Sequence, residues 1–266
     1  MLVVGERINT SRAAVREAVR NKDAAFIQEE AKAQAEAGAG MIDVNCGTFM
    51  REEPDYIGWL VETVQKAVDL PLCIDSPSPE AIRLALEIHR NGRPLINSIT
   101  DQLERFEKLF PLVLEHEALV VALCINDEGM PETVEDCFRI AANLVERLTS
   151  SGVPIGDIYV DPVVRPISTD QSFGKVVLET IRRISSEFEG VHTICGLSNI
   201  SFGLPQRKLV NQNFLTMCMY AGLDAVILDP LDRRMMSNLV ASETLLGRDE
   251  FCLNYIKAHK EGRLTM

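Results

Sequence analysis

Short runs of apolar residues alternate with longer segments of mixed character along the whole chain. Eight runs are rich in Val, Ile and Leu, and they occupy residues 2–8, 41–46, 71–76, 94–99, 119–126, 158–164, 193–199 and 225–230. Between them, apolar residues recur at three- and four-residue spacing, as in 23–37, 57–68, 80–90, 102–117, 133–150 and 176–186. The runs are typical of buried parallel strands and the spacing of surface helices. The pattern therefore predicts repeated strand–helix units.

Eight such units favour a closed (β/α)8 barrel, the TIM barrel, within the α/β class. An open doubly wound sheet usually has fewer strands and a glycine-rich first turn, and no G-x-G-x-x-G or G-x-x-x-x-G-K-[ST] motif follows any run. No linker-like composition divides the chain. We therefore expect one domain over residues 1–266, with its active site at the C-terminal mouth of the barrel.

Polar residues close every predicted strand, and each strand ends in or beside Asp or Asn. Any one of these residues has an ordinary interpretation as a helix cap or turn residue. The set as a whole favours a polar ligand, because Asp75, Asn97 and Asp161 end runs that are apolar enough to be buried. Carboxylates accept hydrogen bonds and amides both donate and accept. This ring suits a neutral heterocycle with an amino-amide edge, such as a pterin.

Charge and cysteine usage exclude several other classes. The chain has 39 acidic and 27 basic residues, a net charge of −12, which disfavours nucleic acid and anionic membranes as partners. The first predicted strand directly follows Met1 and no apolar run approaches the length of a spanning helix, so we expect a cytoplasmic protein. The seven cysteines and four histidines are scattered without metal-ligand spacing. We expect reduced thiols, Cys46, Cys73, Cys124 and Cys195 as core residues, and no protein-bound metal.

Six of the strand-end motifs together resemble the pterin-binding methyltransferases that move a methyl group between tetrahydrofolate and a corrinoid protein. They are Gly5-Glu6-Arg7-Ile8-Asn9, Asp43-Val44-Asn45, Leu72-Cys73-Ile74-Asp75-Ser76, Ile96-Asn97-Ser98, Tyr159-Val160-Asp161-Pro162 and Gly196-Leu197-Ser198-Asn199. Each motif is weak alone, but the six occur in the family's order and spacing. The family includes the folate methyltransferases of acetogenic one-carbon metabolism and of demethylation pathways. The sequence does not decide the direction of transfer.

The resemblance also implies roles for individual residues. Asp75, Asn97 and Asp161 would hold the pterin's amino-pyrimidine edge, and Asn199 would be the catalytic residue, hydrogen-bonded near N5. Its neighbours in the same mouth would be Glu6, Asn45 and Ser198. The chain departs from some relatives at Phe202, where they have a second amide.

The implied substrates are tetrahydrofolate and methyltetrahydrofolate, and the implied partner is a corrinoid protein that carries the cobalamin. No Asp-x-His-x-x-Gly loop of a cobalamin module is present in the sequence, so the cobalt is expected on another chain. A non-catalytic folate-binding or corrinoid-docking protein is the main alternative. A dihydropteroate synthase-like enzyme is a weaker one, because the basic residues of that chemistry are missing after Ser198 and Asp229. The apolar density of Phe214, Leu215, Met217, Met219 and Tyr220 also favours a homodimer.

Overall fold

A computed structural model describes residues 1–265 of the chain and contains eight strands, all parallel to their neighbours. The strands are β1 Leu2–Asn9, β2 Met41–Asn45, β3 Leu72–Asp75, β4 Leu95–Thr100, β5 Leu119–Leu123, β6 Ile158–Asp161, β7 His192–Thr193 and β8 Ala225–Leu228. The α-helices are α1 Ala13–Arg20, α2 Ala24–Glu36, α3 Glu53–Gln65, α4 Pro79–Ile88, α5 Leu103–Glu115, α6 Val134–Ser150, α7 Phe173–Glu187, α8 Arg207–Ala221, α9 Arg233–Leu245 and α10 Leu253–Lys260. The predicted (β/α)8 barrel is confirmed.

The strands follow the order β7-β6-β5-β4-β3-β2-β1-β8, so each strand pairs with its sequence neighbour and β1 also pairs with β8. The ring closes between β7 and β8 through a parallel bridge from Gly196 to Ile227, where the Ile227 amide donates to the Cys195 carbonyl at 3.0 Å. The C-terminal ends of all eight strands therefore meet around one mouth.

The inside of the barrel is filled by one apolar layer, because alternate residues of each strand point inward. This layer consists of Val4, Met41, Cys73, Leu95, Val121, Tyr159, Ile194, Ala225 and Ile227. A larger apolar core lies between the sheet and the surrounding helices. Cys46, Cys73, Cys124 and Cys195 are all fully buried, which confirms their assignment to the core.

Three predicted strands extended too far. The fifth, predicted over 119–126, ends at Leu123. We expected the sixth to reach Val164, but it ends at Asp161, because Pro162 has no amide hydrogen and Val163 adopts a φ of +63°. The seventh, predicted over 193–199, has only two strand residues and is followed by a 3-10 helix, Leu197–Ser201. Ser198 and Asn199 therefore project from a short helical turn over the mouth.

Side-chain caps fix the N-terminal ends of two helices that follow strands at this mouth. Ser78 caps α4, with its hydroxyl accepting from the Ala81 amide at 3.3 Å, and Thr133 caps α6 by accepting from the Asp136 amide at 3.1 Å. Among residues 1–265, no helix is both long and apolar enough to cross a lipid bilayer.

Candidate active site

A cavity of about 710 Å³ opens at the C-terminal mouth of the barrel. Six of the seven predicted site residues line it, namely Glu6, Asp75, Asn97, Asp161, Ser198 and Asn199. The volume lies within the range usual for small-molecule sites.

The two-residue period of the strands determines which residues form the floor of the cavity. Each of six strands places one residue of the apolar layer inside the barrel, and the next inward residue is two positions further on. These next residues are Glu6, Asp43, Asp75, Asn97, Leu123 and Asp161, and all six line the cavity. Five of the six are polar, so a largely polar ring lies directly above the apolar layer.

Asn45 is the one predicted residue outside the cavity lining. Its side-chain amide donates to Asp75 Oδ2 at 2.7 Å and accepts from the Gly47 amide at 3.0 Å. Asn45 therefore lies beside Asp75 at the mouth, and its amide holds this carboxylate rather than facing the cavity.

Asp43 was noted as a strand-end residue but was not among the predicted site residues. It is buried, lines the cavity, and its Oδ1 has no hydrogen-bond partner among the described residues. The signal was available in the sequence, because Asp43 follows the inward-facing Met41 by two positions.

Burial dominates the electrostatics of the four cavity carboxyl groups. Desolvation raises the pKa of Glu6 to about 7 and that of Asp161 to about 7. Burial, and then the nearby Asp75, raise the pKa of Asp43, and burial likewise raises that of Asp75. A carboxyl group near its pKa can both donate and accept, so this ring can match a mixed donor and acceptor edge.

Hydrogen bonds hold several of these groups in place. The Ser198 hydroxyl donates to Glu6 Oε1 at 2.9 Å, and the Val163 amide donates to Asp161 Oδ1 at 2.8 Å. On the other side, the Arg105 guanidinium donates to the carbonyls of Ser98 at 2.9 Å and Ser76 at 3.0 Å. The loops after β3 and β4 are thereby tied together beside Asn97.

The Asn199 side chain lines the cavity and makes no hydrogen bond to the protein within residues 1–265. Its backbone is held by the 3-10 turn, in which the Phe202 amide donates to the Asn199 carbonyl at 3.1 Å. The Arg207 guanidinium braces the same turn by donating to the Ser198 carbonyl at 2.7 Å. Asn199 thus presents an unengaged amide from a fixed backbone.

The barrel and its polar mouth suit a small polar ligand, and the comparisons with known proteins specify the class of enzyme. The family described as "Pterin binding enzyme" matches residues 5–229, and the chain belongs to this family. A curated relative, the methylcorrinoid:tetrahydrofolate methyltransferase of Eubacterium limosum, is 39% identical over 269 aligned residues that cover 99% of this chain and 98% of the relative.

Two further comparisons are more distant. The methionine synthase of Mycobacterium tuberculosis is 34% identical over 240 residues, which are 85% of this chain but only 20% of that protein. The solved dihydropteroate synthase of Xanthomonas albilineans, a structure with 4-aminobenzoic acid, superposes with a TM-score of 0.71 at 18% identity and covers 94% of this chain and 92% of that one. This last likeness concerns the fold alone.

Proposed function

We propose that the protein transfers a methyl group between N5 of tetrahydrofolate and the cobalt of a corrinoid protein. The observation that carries this proposal is the row of Asp75, Asn97 and Asp161 in one cavity with the unengaged amide of Asn199. A pterin edge carries an amine, a ring N–H and a carbonyl. Two carboxyl groups and an amide can satisfy all three.

The direction we propose is from the corrinoid to the folate. It rests on the Eubacterium limosum relative, whose name places the methyl group on the corrinoid and tetrahydrofolate as its acceptor, and which matches over nearly the full length of both chains. Transfer in this direction suits a demethylation pathway. The reverse reaction uses the same groups.

Methyl transfer to the folate requires N5 to lose a proton. The N5 lone pair forms the new bond to carbon, the bonding pair stays with cobalt, and the N5 proton must leave to a base. Asn199 can hydrogen-bond to N5 but cannot hold this proton, because an amide does not titrate near neutral pH. Glu6 is a cavity carboxyl group that is not assigned to the pterin edge, and it accepts a hydrogen bond from Ser198, the residue before Asn199. Its pKa is raised to about 7, so in this proposal Glu6 accepts the proton and returns it in the reverse reaction.

The corrinoid is carried, in this proposal, by a separate protein that docks over the barrel mouth. The relative of matching length supports this division of labour, because its name gives methylcorrinoid as a substrate. The docked protein must leave after each turnover, so we expect a small interface. Its association should depend on ionic strength, given the net charge of −12.

We further propose a homodimer that forms through α8. Of the five residues that suggested it, Phe214, Leu215 and Met219 are buried against the barrel, whereas Met217 and Tyr220 are 52% and 81% exposed. Together with Leu245, which is 82% exposed, they form one apolar face. Sedimentation at micromolar concentration should show a dimer that Tyr220→Glu converts to monomer, whereas a monomeric native chain would contradict the proposal.

Turnover with free cobalamin separates the enzyme from a non-catalytic folate-binding protein. Anaerobic mixing of the purified chain with methyltetrahydrofolate and reduced cobalamin, and of methylcobalamin with tetrahydrofolate, should change the corrin absorbance in both mixtures. Heat-denatured protein is the control. Tight folate binding without any enzyme-dependent spectral change would favour the binding protein.

A further inference from the structure

Phe202 is an aromatic residue at the rim of the cavity that the methyl-transfer chemistry does not use. Its ring lines the cavity, yet the residue is 64% exposed. The backbone around it is well held, because Ser168 Oγ donates to the Phe202 carbonyl at 2.6 Å and the Phe202 amide donates to Asn199. A large apolar ring kept in water on a fixed backbone suggests a ligand surface.

One arginine approaches this ring, and a second arginine lines the same cavity. The Arg165 guanidinium lines the cavity and lies 3.9 Å from the Phe173 ring centre, and the Arg207 guanidinium lies 5.8 Å from the Phe202 ring centre. Neither forms a salt bridge with a carboxylate of residues 1–265. By contrast, Arg7 on the far side of the mouth is neutralised by Glu30 at 2.7 Å and Asp229 at 2.9 Å. Positive charge is therefore available on the Phe202 side.

We propose that Phe202 and Arg165 bind the p-aminobenzoyl-glutamate part of the folate, an inference that rests on the proposed function. With the pterin edge on the polar floor, the rest of a folate must leave through the rim. Its aromatic ring can stack on Phe202, because aromatic pairs gain stability beyond the area they bury. Its glutamate carboxylates are attracted by Arg165, which lines the cavity and has no carboxylate partner among residues 1–265.

Arg207 has a different part in this arrangement. Its guanidinium already donates to the Ser198 carbonyl and to Ser201 Oγ at 3.1 Å, so its hydrogen bonds hold the 3-10 turn. Arg207 is thus a positioning residue for Phe202 and Asn199. Arg165, whose hydrogen bond within the described residues is a 3.3 Å contact to the Pro131 carbonyl, keeps donors available for a ligand.

Two ligands that differ only beyond the pterin test the proposal. Anaerobic calorimetry would measure dissociation constants for tetrahydrofolate and for 6-methyltetrahydropterin, which lacks the aminobenzoyl-glutamate. Phe202→Ala should raise the dissociation constant of tetrahydrofolate about 5- to 10-fold and leave that of 6-methyltetrahydropterin unchanged. Arg165→Gln should raise the dissociation constant of tetrahydrofolate about 2- to 5-fold, and Arg165→Lys, which keeps the positive charge, should raise it less. Arg165→Gln should also reduce the salt dependence of tetrahydrofolate binding.

Matched controls lie on α8, outside the cavity. Leu209→Ala removes an apolar side chain that is 63% exposed, and Lys208→Gln removes an exposed charge. Both should leave both dissociation constants unchanged. The corrinoid KM should also remain unchanged in Phe202→Ala.

Three results would overturn the inference. Equal weakening of both ligands by Phe202→Ala would mean that the ring supports the pterin pocket. Unchanged tetrahydrofolate binding with a raised corrinoid KM would assign the rim to the docked protein. Equal affinity of the native chain for the two ligands would show that the protein does not bind the p-aminobenzoyl-glutamate part. If the native chain binds neither ligand, the proposed function fails, and that outcome is distinct from these three.

Discussion

At the residue scale, the floor of the cavity is a set of buried polar side chains. Asp161 is 8% exposed and Asp43 only 2% exposed, and burial raises the pKa of both. Asp161 accepts a hydrogen bond from the Val163 amide, whereas Asp43 Oδ1 has no partner among the described residues. Buried carboxyl groups with so few donors become more favourable when a ligand supplies further donors. We therefore expect the floor residues to contribute mainly to ground-state binding of the folate.

Removing one floor residue should weaken binding. We predict that Asp75→Ala, Asn97→Ala and Asp161→Ala each cost about 1–3 kcal/mol in folate affinity, roughly 5- to 150-fold, because each leaves a buried polar group of the ligand without its partner. Calorimetry with tetrahydrofolate measures this directly. Asp127→Ala, an exposed change on the β5 loop, is the control. Unchanged affinity in all three floor variants would show that the pterin binds elsewhere.

Asn199 should behave differently from the floor residues. Its amide is unengaged in the protein and is assigned to N5, whose charge changes during transfer. We predict that Asn199→Ala lowers the single-turnover rate roughly 10²- to 10³-fold and weakens folate binding far less. Stopped-flow absorbance and calorimetry on the same variant separate the two effects. A loss that falls mainly on affinity would place Asn199 with the floor residues.

At the element scale, the 3-10 turn at Leu197–Ser201 and the helix that follows it decide where Asn199 lies. Helix α8 ends at Gly222, whose φ is +121°, and a Cβ there would lie 2.7 Å from Ser185 Cβ on α7. Both the backbone angle and the close approach require glycine. The packing of α8 on α7 thus depends on one residue.

Alanine at two glycines separates these effects. Gly152 also has a positive φ of +101°, but a Cβ there would meet nothing within 4 Å. We predict that Gly152→Ala costs about 1–2 kcal/mol of unfolding free energy, from backbone strain alone. Gly222→Ala should cost about 1–3 kcal/mol more, because it also clashes with Ser185. Urea unfolding at fixed pH measures both, and equal costs would contradict the assigned clash.

The strands and helices could be predicted from the sequence because their apolar spacing is regular. The ends of the sixth and seventh strands could not, since they are set by the positive φ of Val163 and by the 3-10 turn after Gly196. The floor residues Asp75, Asn97 and Asp161 were predictable from their position at strand ends. The role of Asn45 was not, because its hydrogen bond to Asp75 depends on the twist between β2 and β3.

At the scale of the whole molecule, the raised carboxyl pKa values link stability to pH. Glu6 and Asp161 have pKa values of about 7 in the folded chain, against ordinary values of 4.5 and 3.8. Between these limits the folded state binds more protons than the unfolded state. Stability from these groups is therefore present at lower pH and is lost as the pH rises through 7.

This linkage predicts a measurable difference between pH 6 and pH 8. The free energy of unfolding should fall by about 2–3 kcal/mol over this interval from Glu6 and Asp161 together. Glu6→Gln with Asp161→Asn should flatten the change, since neither replacement titrates. Urea denaturation of the native and double-variant chains at both pH values provides the test. A native chain more stable at pH 8, or an equally steep loss in the double variant, would contradict the assignment.

We propose that the barrel as a whole holds a folate with N5 directed to a partner's cobalt, and one labelling experiment tests this most directly. Methylcobalamin labelled with ¹³C in its methyl group is mixed anaerobically with tetrahydrofolate and the purified chain, and the folate is examined by ¹³C NMR. The account predicts a label on N5 that appears in proportion to enzyme and is nearly lost in Asn199→Ala. A folate that remains unlabelled in the presence of the native chain, although calorimetry shows that it is bound, would contradict it.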